Sequence, residues 1–372
     1  MSTKGRVLVA MSGGIDSSVA AVLLHEQGYE VIGMTMKTWD YASSGGDKKE
    51  TGCCSLDSIN DARHIAVSLG FPHYILDIRE EFGDSVIDYF TQEYVDGRTP
   101  NPCVMCNTHI KWDALLRRAD QLGCEFIATG HYAQIRQENG RHIISKGVDA
   151  KKDQSYVLGV LTAEELKHAY FPIGASASKD DIRREAAERG LSVANKPDSY
   201  DICFIPEGDT QDWLNDKLGS TPGEIVDRSG NVLGQHPGSH GYTVGQRKGL
   251  NIGKPAADGK PRFVLEIRPV NNQVVVGPHD ALAVTELAGS RLSWCGSAPK
   301  NQSDWFAAEV QVRAHADPVP CQAAVVDGEL VMKLNAPLMG VAPGQTAVLY
   351  VGTRVLGQTT IDRTVSAVPV EA

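Results

Sequence analysis

No uninterrupted apolar run in this sequence reaches membrane-spanning length. The opening MSTKGRVLVAM lacks the apolar stretch a signal peptide needs. Spanning and secreted classes are therefore set aside, and a soluble, cytoplasmic protein without a membrane partner is expected. There are no internal repeats and no low-complexity tract. Positive charge is also short: the net charge is -10. That argues against nucleic acid held by the molecule as a whole, although an acidic protein can still carry a local basic face. Two common phosphate-binding signatures are missing. No glycine-rich loop ends in the Lys-Ser/Thr pair of a Walker A motif, and no G-x-G-x-x-G occurs. Dense cysteine is absent too: there are eight in 372 residues. Cys53, Cys54, Cys103, Cys106, Cys124, Cys203, Cys295 and Cys321 do not make a secreted disulfide scaffold. In a reducing compartment, clustered cysteines instead bind metal or do thiol chemistry.

What is present is enough for folded cores: 42% of the 372 residues are apolar and 22% charged, and the length fits two or three domains. The first 200 or so residues alternate strand-like and helix-like patterns. Residues 7–11 are a short apolar run, and Val19, Ala20, Leu23 and Leu24 recur at helical spacing until Gly28. Residues 31–36 read as a second strand and 38–55 as a polar, mobile loop. Ile59, Ala62, Ala66 and Leu69 mark a helix closed by Gly70. A strand at 74–78, a helix at 86–95, a loop at 101–107 beside Pro100 and Pro102, an amphipathic helix to Leu122 and a strand at 126–129 follow. This βαβα order predicts an α/β fold with a parallel sheet covered by helices. Asn139-Gly140 predicts a hairpin, and Ser178 with Asp181 a capped helix running to Arg189. Beyond Pro206 the chain becomes rich in Gly and Pro. From about 285 it reads as strands at 305–312, 330–334 and 346–351, which predicts a small β-barrel. The expected domains are 1–206, 207–284 and 285–372.

The strongest single signal is a strand, then Ser12-Gly13-Gly14-Ile15-Asp16-Ser17-Ser18, then a helix. Glycines let the backbone approach a phosphate closely, their N–H groups can point at its oxygens, and the helix adds its positive end. Ser12 and Ser17 can donate hydroxyl hydrogen bonds. Asp16 can help hold a magnesium ion that bridges phosphates. The loop resembles the SGGxDS loop of the PP-loop pyrophosphatases. That resemblance implies cleavage of ATP between its α- and β-phosphates and adenylation of a substrate oxygen.

The cysteines choose among such enzymes. Cys103-Val104-Met105-Cys106 lies within Asn101 to Asn107, and Cys203 follows in Asp201-Ile202-Cys203-Phe204. Sulfur transfer needs one thiol to carry the sulfur as a persulfide and another to release it. SGGIDSS, GCCS, NPCVMCN, ATGHYA, KKDQSY and DICFIPEGD occur in the order found in bacterial tRNA-specific 2-thiouridylases, and the resemblance covers the whole chain. It implies a PP-loop (adenine nucleotide hydrolase-like) catalytic domain, a small central domain that contacts tRNA, and a C-terminal β-barrel. It also implies ATP-dependent 2-thiolation of the wobble uridine of tRNA, with AMP and pyrophosphate as products.

Carried over residue by residue, the resemblance implies that Ala10, Met11, Ser12, Gly13, Gly14, Ile15, Asp16, Ser17, Met36 and Gly130 hold ATP. It makes Cys106 the nucleophile and Cys203 the persulfide carrier, joined in a transient disulfide. Asn101, Pro102 and Cys103 would lie by the target base. His131, Lys152, Asp153, Gln154, Arg313, Ala314 and Gln345 would contact tRNA. Its implied partners are tRNAs for Lys, Glu and Gln and a persulfide sulfur-donor protein. Two departures stand out: Ala314 replaces a frequent aromatic, and Cys103 stands where many relatives have Asp. The second opens a further option, a [4Fe–4S] cluster on Cys103, Cys106 and Cys203, with three-thiol zinc as a weaker version.

Two other functions are weighed against the thiolase: a PP-loop synthetase that adenylates a small metabolite, and a nucleotide-sensing or metal-storage protein. The paired thiols and appended domains oppose the first, and the intact SGGIDSS loop the second. Among weaker signals, Cys124, Cys295 and Cys321 are expected to pack in cores. Lys179, Arg183 and Arg184 are expected on a solvated helix face. Lys151, Lys152, Arg247 and Lys248, in loops, are better placed for phosphates.

Overall fold

The computed structural model describes residues 4–39, 55–197, 202–205, 210–253 and 259–368. Cys53, Cys54, Asp201, Pro206 and most of the loop expected at 38–55 lie outside the described residues. The first unit contains β1 (Arg6–Ala10), α1 (Ile15–Glu26), β2 (Glu30–Lys37), α2 (Leu56–Leu69), β3 (His73–Asp77), α3 (Arg79–Phe82), α4 (Asp88–Val95), α5 (Pro102–Cys106), α6 (Trp112–Gln121), β4 (Phe126–Ala128), β5 (Ala133–Glu138), β6 (Arg141–Lys146), α7 (Ala163–His168), β7 (Ala169–Tyr170) and α8 (Lys179–Glu188). Five strands form a parallel sheet in the order β3-β2-β1-β4-β7. Val7, Leu8 and Val9 of β1 are fully buried because both faces of a parallel sheet are covered. Val7 and Val9 pack with Ala21 and Val22 of α1 and Ala62 and Ile65 of α2. Leu8, between them in sequence, packs on the other face with Trp112 and Leu115 of α6.

This order places a topological switch between β1 and β4: the chain leaves β1 towards β2 on one side and returns to β4 on the other. Ligands in such sheets bind at the carboxyl ends of the strands beside that switch. The expected α/β fold with a parallel sheet is therefore present, with its crevice where the SGGIDSS loop leaves β1.

One expectation is corrected. Residues 101–107 are not a loop: residues 102–106 form the helical turn α5. Asn101 caps it, its side chain accepting a hydrogen bond from the Val104 N–H at 3.2 Å, and Pro102 sits in the first turn, where its missing N–H costs nothing. A π-helical turn at Asn107–Lys111 then joins α5 to α6. A second π-turn, at Gly83–Ile87, interrupts the helix expected at 86–95.

The Asn139-Gly140 turn forms as expected, with φ of 51° and 73° at the two residues, the left-handed pair that a two-residue hairpin requires. The resulting β5–β6 hairpin does not stay with the parallel sheet. It joins the C-terminal sheet, Ser145 of β6 pairing with Arg354. The middle unit holds α9 (Thr210–Leu218), β8 (Gly223–Val226), β9 (Val232–His236), β10 (Phe263–Arg268) and β11 (Gln273–Gly277), in a sheet ordered β10-β11-β8-β9. The last unit holds β12 (Ala283–Gly289), β13 (Ser293–Trp294), β14 (Phe306–Gln311), β15 (Val319–Val326), β16 (Glu329–Met339), β17 (Thr346–Val351), β18 (Arg354–Thr360) and β19 (Arg363–Ser366). Its sheet curls until Gly289 of β12 abuts β18, so closely that a Cβ there would lie 1.9 Å from the Thr360 carbonyl oxygen. A β-barrel is the outcome, as expected.

The three units meet around the segment that leads into α5. The Thr99 N–H donates to the Pro343 carbonyl at 2.8 Å, and its hydroxyl shares a hydrogen bond with the Thr243 hydroxyl at 2.9 Å. The Gln345 amide donates to the Thr99 carbonyl at 2.9 Å. Just before it, Arg98 bridges Glu93 of α4 and Asp362 at 2.7 and 2.9 Å. Barrel and middle unit thus fix the entry to the thiol-bearing helix.

Candidate active site

A cavity of about 300 Å³ opens at the ends of β1 and β4. One wall is the loop after β1. Gly13 has φ +69°, and a Cβ there would sit 1.9 Å from the Ser58 carbonyl oxygen, so only glycine fits. Gly14 begins α1 with no side-chain cap, which leaves backbone N–H groups at that helix end for a ligand. The Ser12 N–H donates to Ser17 Oγ at 3.0 Å, which pre-forms the loop. Gly130, after β4, lies against its far side: a Cβ there would be 2.6 Å from the Ser17 nitrogen. Ala10, Met11, Ser12, Asp16, Ser17, Met36 and Gly130 all line the cavity. Gly13 and Gly14 shape the loop behind them, and the Ile15 side chain is spent on core packing with Val19 and Ala20.

Across the cavity stand the thiols. Cys103 and Cys106 are three apart on α5, hence on one helix face, and both line it. Cys203 lines it too, within Ile202 to Ile205, where Phe204 packs edge-on against Phe82 and Phe90. Cys106 is buried, Cys203 half-buried and Cys103 exposed, and no disulfide joins them. The remaining described cysteines behave as packing residues. Burial pushes the Cys295 and Cys321 thiols up to about 12 and raises Cys124, so none offers a thiolate near neutrality. Cys124 lies two residues before β4.

No group of three or more His, Cys, Asp or Glu among the described residues is arranged to hold a metal ion. Cys103, Cys106 and Cys203 share a cavity but not a ligand geometry, so the iron–sulfur and zinc readings do not fit this arrangement. Asp16 is also committed. Lys179 donates to both of its carboxylate oxygens at 2.6 Å, and the Tyr132 hydroxyl donates to one at 2.7 Å. As a magnesium ligand Asp16 does not fit this arrangement.

The ion pair also corrects the reading of Lys179. Its side chain is only 12% exposed, not on a solvated face, because α8 lies across α1. Arg183 turns inward as well, to the Ala194 and Lys196 carbonyls. Arg184 alone stays outside, paired with Asp181. Lys196 was likewise not anticipated: it donates to the Gly13 carbonyl at 3.0 Å and to Asp61 at 2.8 Å, bracing the loop from behind. We expect Lys179→Met to raise the KM for ATP about tenfold, the loss of one charge-assisted contact. Pyrophosphate release at varied ATP checks this.

His131 and Gln154 line the cavity. Burial, with the charge of Lys111 adding to it, pushes His131 down to about 3, so its ring is neutral at physiological pH. It is held by a 2.6 Å contact between Nδ1 and the Thr129 hydroxyl. Gln154 accepts from the Tyr132 N–H at 3.0 Å. Pro102 lines the cavity as well, like Cys103, whereas the remaining expected contacts are not part of its lining. Asp153 turns its carboxylate to the Gly147 and Ser155 N–H groups, shaping its own loop, and Lys152 lies in that loop beside it. Asn101 caps α5. Arg313 and Ala314 are exposed on the barrel, where Arg313 donates to the Gly340 carbonyl. Gln345 is bound to the Thr99 segment. No described helix is long and apolar enough to cross a membrane.

A phosphate loop at the switch point of a parallel sheet, thiols on the facing wall and two appended β units define a PP-loop protein equipped for sulfur chemistry. Residues 5–207 match the tRNA methyl transferase HUP domain, 211–278 the tRNA methyl transferase PRC-barrel domain, and 284–361 the aminomethyltransferase beta-barrel domain. The tRNA-specific 2-thiouridylase MnmA of Leifsonia xyli subsp. xyli is 55% identical over 98% of this chain and 100% of its own. Its namesake in Clavibacter michiganensis subsp. michiganensis is 53% identical over 98% and 95%. That of Cytophaga hutchinsonii is 55% identical over 96% and 97%. The chain belongs to the tRNA-specific 2-thiouridylase family.

Proposed function

We propose that this protein is an ATP-dependent tRNA-uridine 2-sulfurtransferase acting on the wobble uridine. The observation that carries the reading is Cys106 and Cys203 in the wall of the same cavity as the Ser12–Ser17 loop. The C2 oxygen of uridine attacks the α-phosphorus of MgATP. The bond to the β-phosphate oxygen breaks, pyrophosphate leaves, and the uridine N3 proton is lost to solvent. A persulfide on Cys203 then attacks C2 with its outer sulfur, and AMP departs. The Cys106 thiolate attacks the inner sulfur, releases 2-thiouridine and closes a Cys106–Cys203 disulfide, which an external dithiol reduces. If Cys106 attacks first, hydrosulfide is freed and adds to C2, and the balance is the same.

In this reading Pro102 and Cys103 border the base, Asn101 holds their helix, and neutral His131 with Gln154 hydrogen-bonds uridine or ribose. Lys152, Asp153 and the barrel's Arg313, Ala314 and Gln345 form a path for the tRNA body. Gln345 serves it through the Thr99 segment. The partners are tRNAs for Lys, Glu and Gln and a persulfide-donating protein, in the cytoplasm. The methyl transferase wording of the matched family suits the site poorly. Methyl transfer needs an electrophilic methyl donor and has no use for a phosphate loop facing two thiols. A small-metabolite synthetase leaves both thiols idle.

The test is direct. The protein is incubated with MgATP, a persulfide source and unmodified tRNA, and digested nucleosides are read by mass spectrometry. We expect 2-thiouridine in step with pyrophosphate. No 2-thiouridine from any tRNA, together with turnover of a small amide acceptor, would contradict the proposal.

A further inference from the structure

We infer that Lys111 is a catalytic residue of the adenylation step, the cation that binds the non-bridging oxygens of the α-phosphoryl group as it moves from ATP to uridine. The inference rests on the thiolase reading and adds a residue to it. Among the described residues that line the cavity, Lys111 is the one cation. The loop wall offers backbone N–H groups and hydroxyls, and its carboxylate, Asp16, already holds Lys179. Negative charge that builds on phosphorus beside the thiols therefore meets the Lys111 ammonium there.

The backbone explains how Lys111 reaches that wall. Cys106 and Lys111 are five residues apart, and in an uninterrupted α-helix of 3.6 residues per turn they would point to different sides. Residues 107–111 form instead a π-turn, whose hydrogen bonds span five residues. The wider turn rotates Lys111 back to the face of Cys106, and Trp112 and Leu115 of α6 follow into the lining. His131 lines the same cavity and feels the field of Lys111. A neutral imidazole leaves the ammonium without a competing cation. A π-turn is a rare irregularity that is frequent at functional sites.

The step balances without a further reagent. The uridine C2–O–P bond forms and the P–O bond to pyrophosphate breaks, while Lys111 keeps its protons and donates hydrogen bonds throughout. The alternative role is support of the Cys106 thiolate, and the two roles separate experimentally. Lys111→Met and Lys111→Arg are compared with wild type in tRNA-dependent pyrophosphate release and in the pH profile of Cys106 alkylation. The inference predicts a fall of about 100-fold or more in the maximal rate of release for Met, with at least tenfold recovered by Arg. It predicts an unchanged KM for tRNA and an unchanged alkylation profile. Normal release by Lys111→Met, or a profile shifted to higher pH with release intact, would overturn it. If wild type itself releases no pyrophosphate with tRNA, the thiolase reading fails instead. Thermal melts of both variants identify any that do not fold, and the Arg variant then carries the comparison.

Discussion

Cys203→Ser is expected to abolish tRNA thiolation, by at least about 1,000-fold, while the first turnover of ATP still releases pyrophosphate. Serine fits the space of a half-buried thiol but cannot carry a second sulfur, so the block falls after adenylation. The phosphate loop lies on the other wall and has no reason to change. The measurement is paired: 2-thiouridine by mass spectrometry and pyrophosphate by a coupled assay on one sample. Loss of both would make Cys203 a structural residue of the cavity wall. Retention of both would remove it from the chemistry.

The second large effect is expected at Gly13. Alanine there must adopt a φ of +69° and place its Cβ 1.9 Å from the Ser58 carbonyl oxygen. The left-handed conformation costs about 1–2 kcal/mol for a residue with a Cβ, and overpacking of this kind about 1–3 kcal/mol more. The neighbouring backbone cannot yield cheaply, because Ser58 belongs to the first turn of α2 and Lys196 ties the Gly13 carbonyl to Ser58 Oγ and Asp61. We expect pyrophosphate release to fall by about 100-fold, the factor that roughly 2.7 kcal/mol commands. The Tm should drop by only a few degrees, because one loop moves rather than a core. Near-normal release from Gly13→Ala would mean that the loop does not hold the phosphates.

Where the sequence was legible, the signals were local. The SGGIDSS loop shows itself because strand, glycine turn and helix start within a dozen residues, and the Asn139-Gly140 hairpin because two residues decide a turn. Other features depend on distant partners. The β5–β6 hairpin pairs with Arg354 of β18, more than 200 residues on, and no local pattern announces that. Charged helices mislead in the same way. The Ser178 cap was readable, but whether Lys179 faces water or Asp16 is decided by how α8 crosses α1. The segment at 101–107 carried its own signal, an Asn cap followed by Pro in the first turn. Pro100 and Pro102, on either side of Asn101, mask that signal. The π-turn that brings Lys111 to the cavity has no sequence signature at all. The loop residues of the cavity are legible in contrast, because Ser12–Ser17 and Gly130 sit at the ends of β1 and β4, where topology fixes the crevice.

The convergence of two thiols beside one nucleotide site underlies the whole account, and a single-turnover trap tests it most directly. Protein carrying a persulfide on Cys203 is mixed with MgATP and tRNA, quenched in acid with alkylating agent, digested and examined by mass spectrometry without reduction. The account predicts a peptide pair joined through Cys106 and Cys203, formed in equal amount to 2-thiouridine. Full yield of 2-thiouridine with Cys106 recovered as the alkylated thiol and no such pair would contradict it.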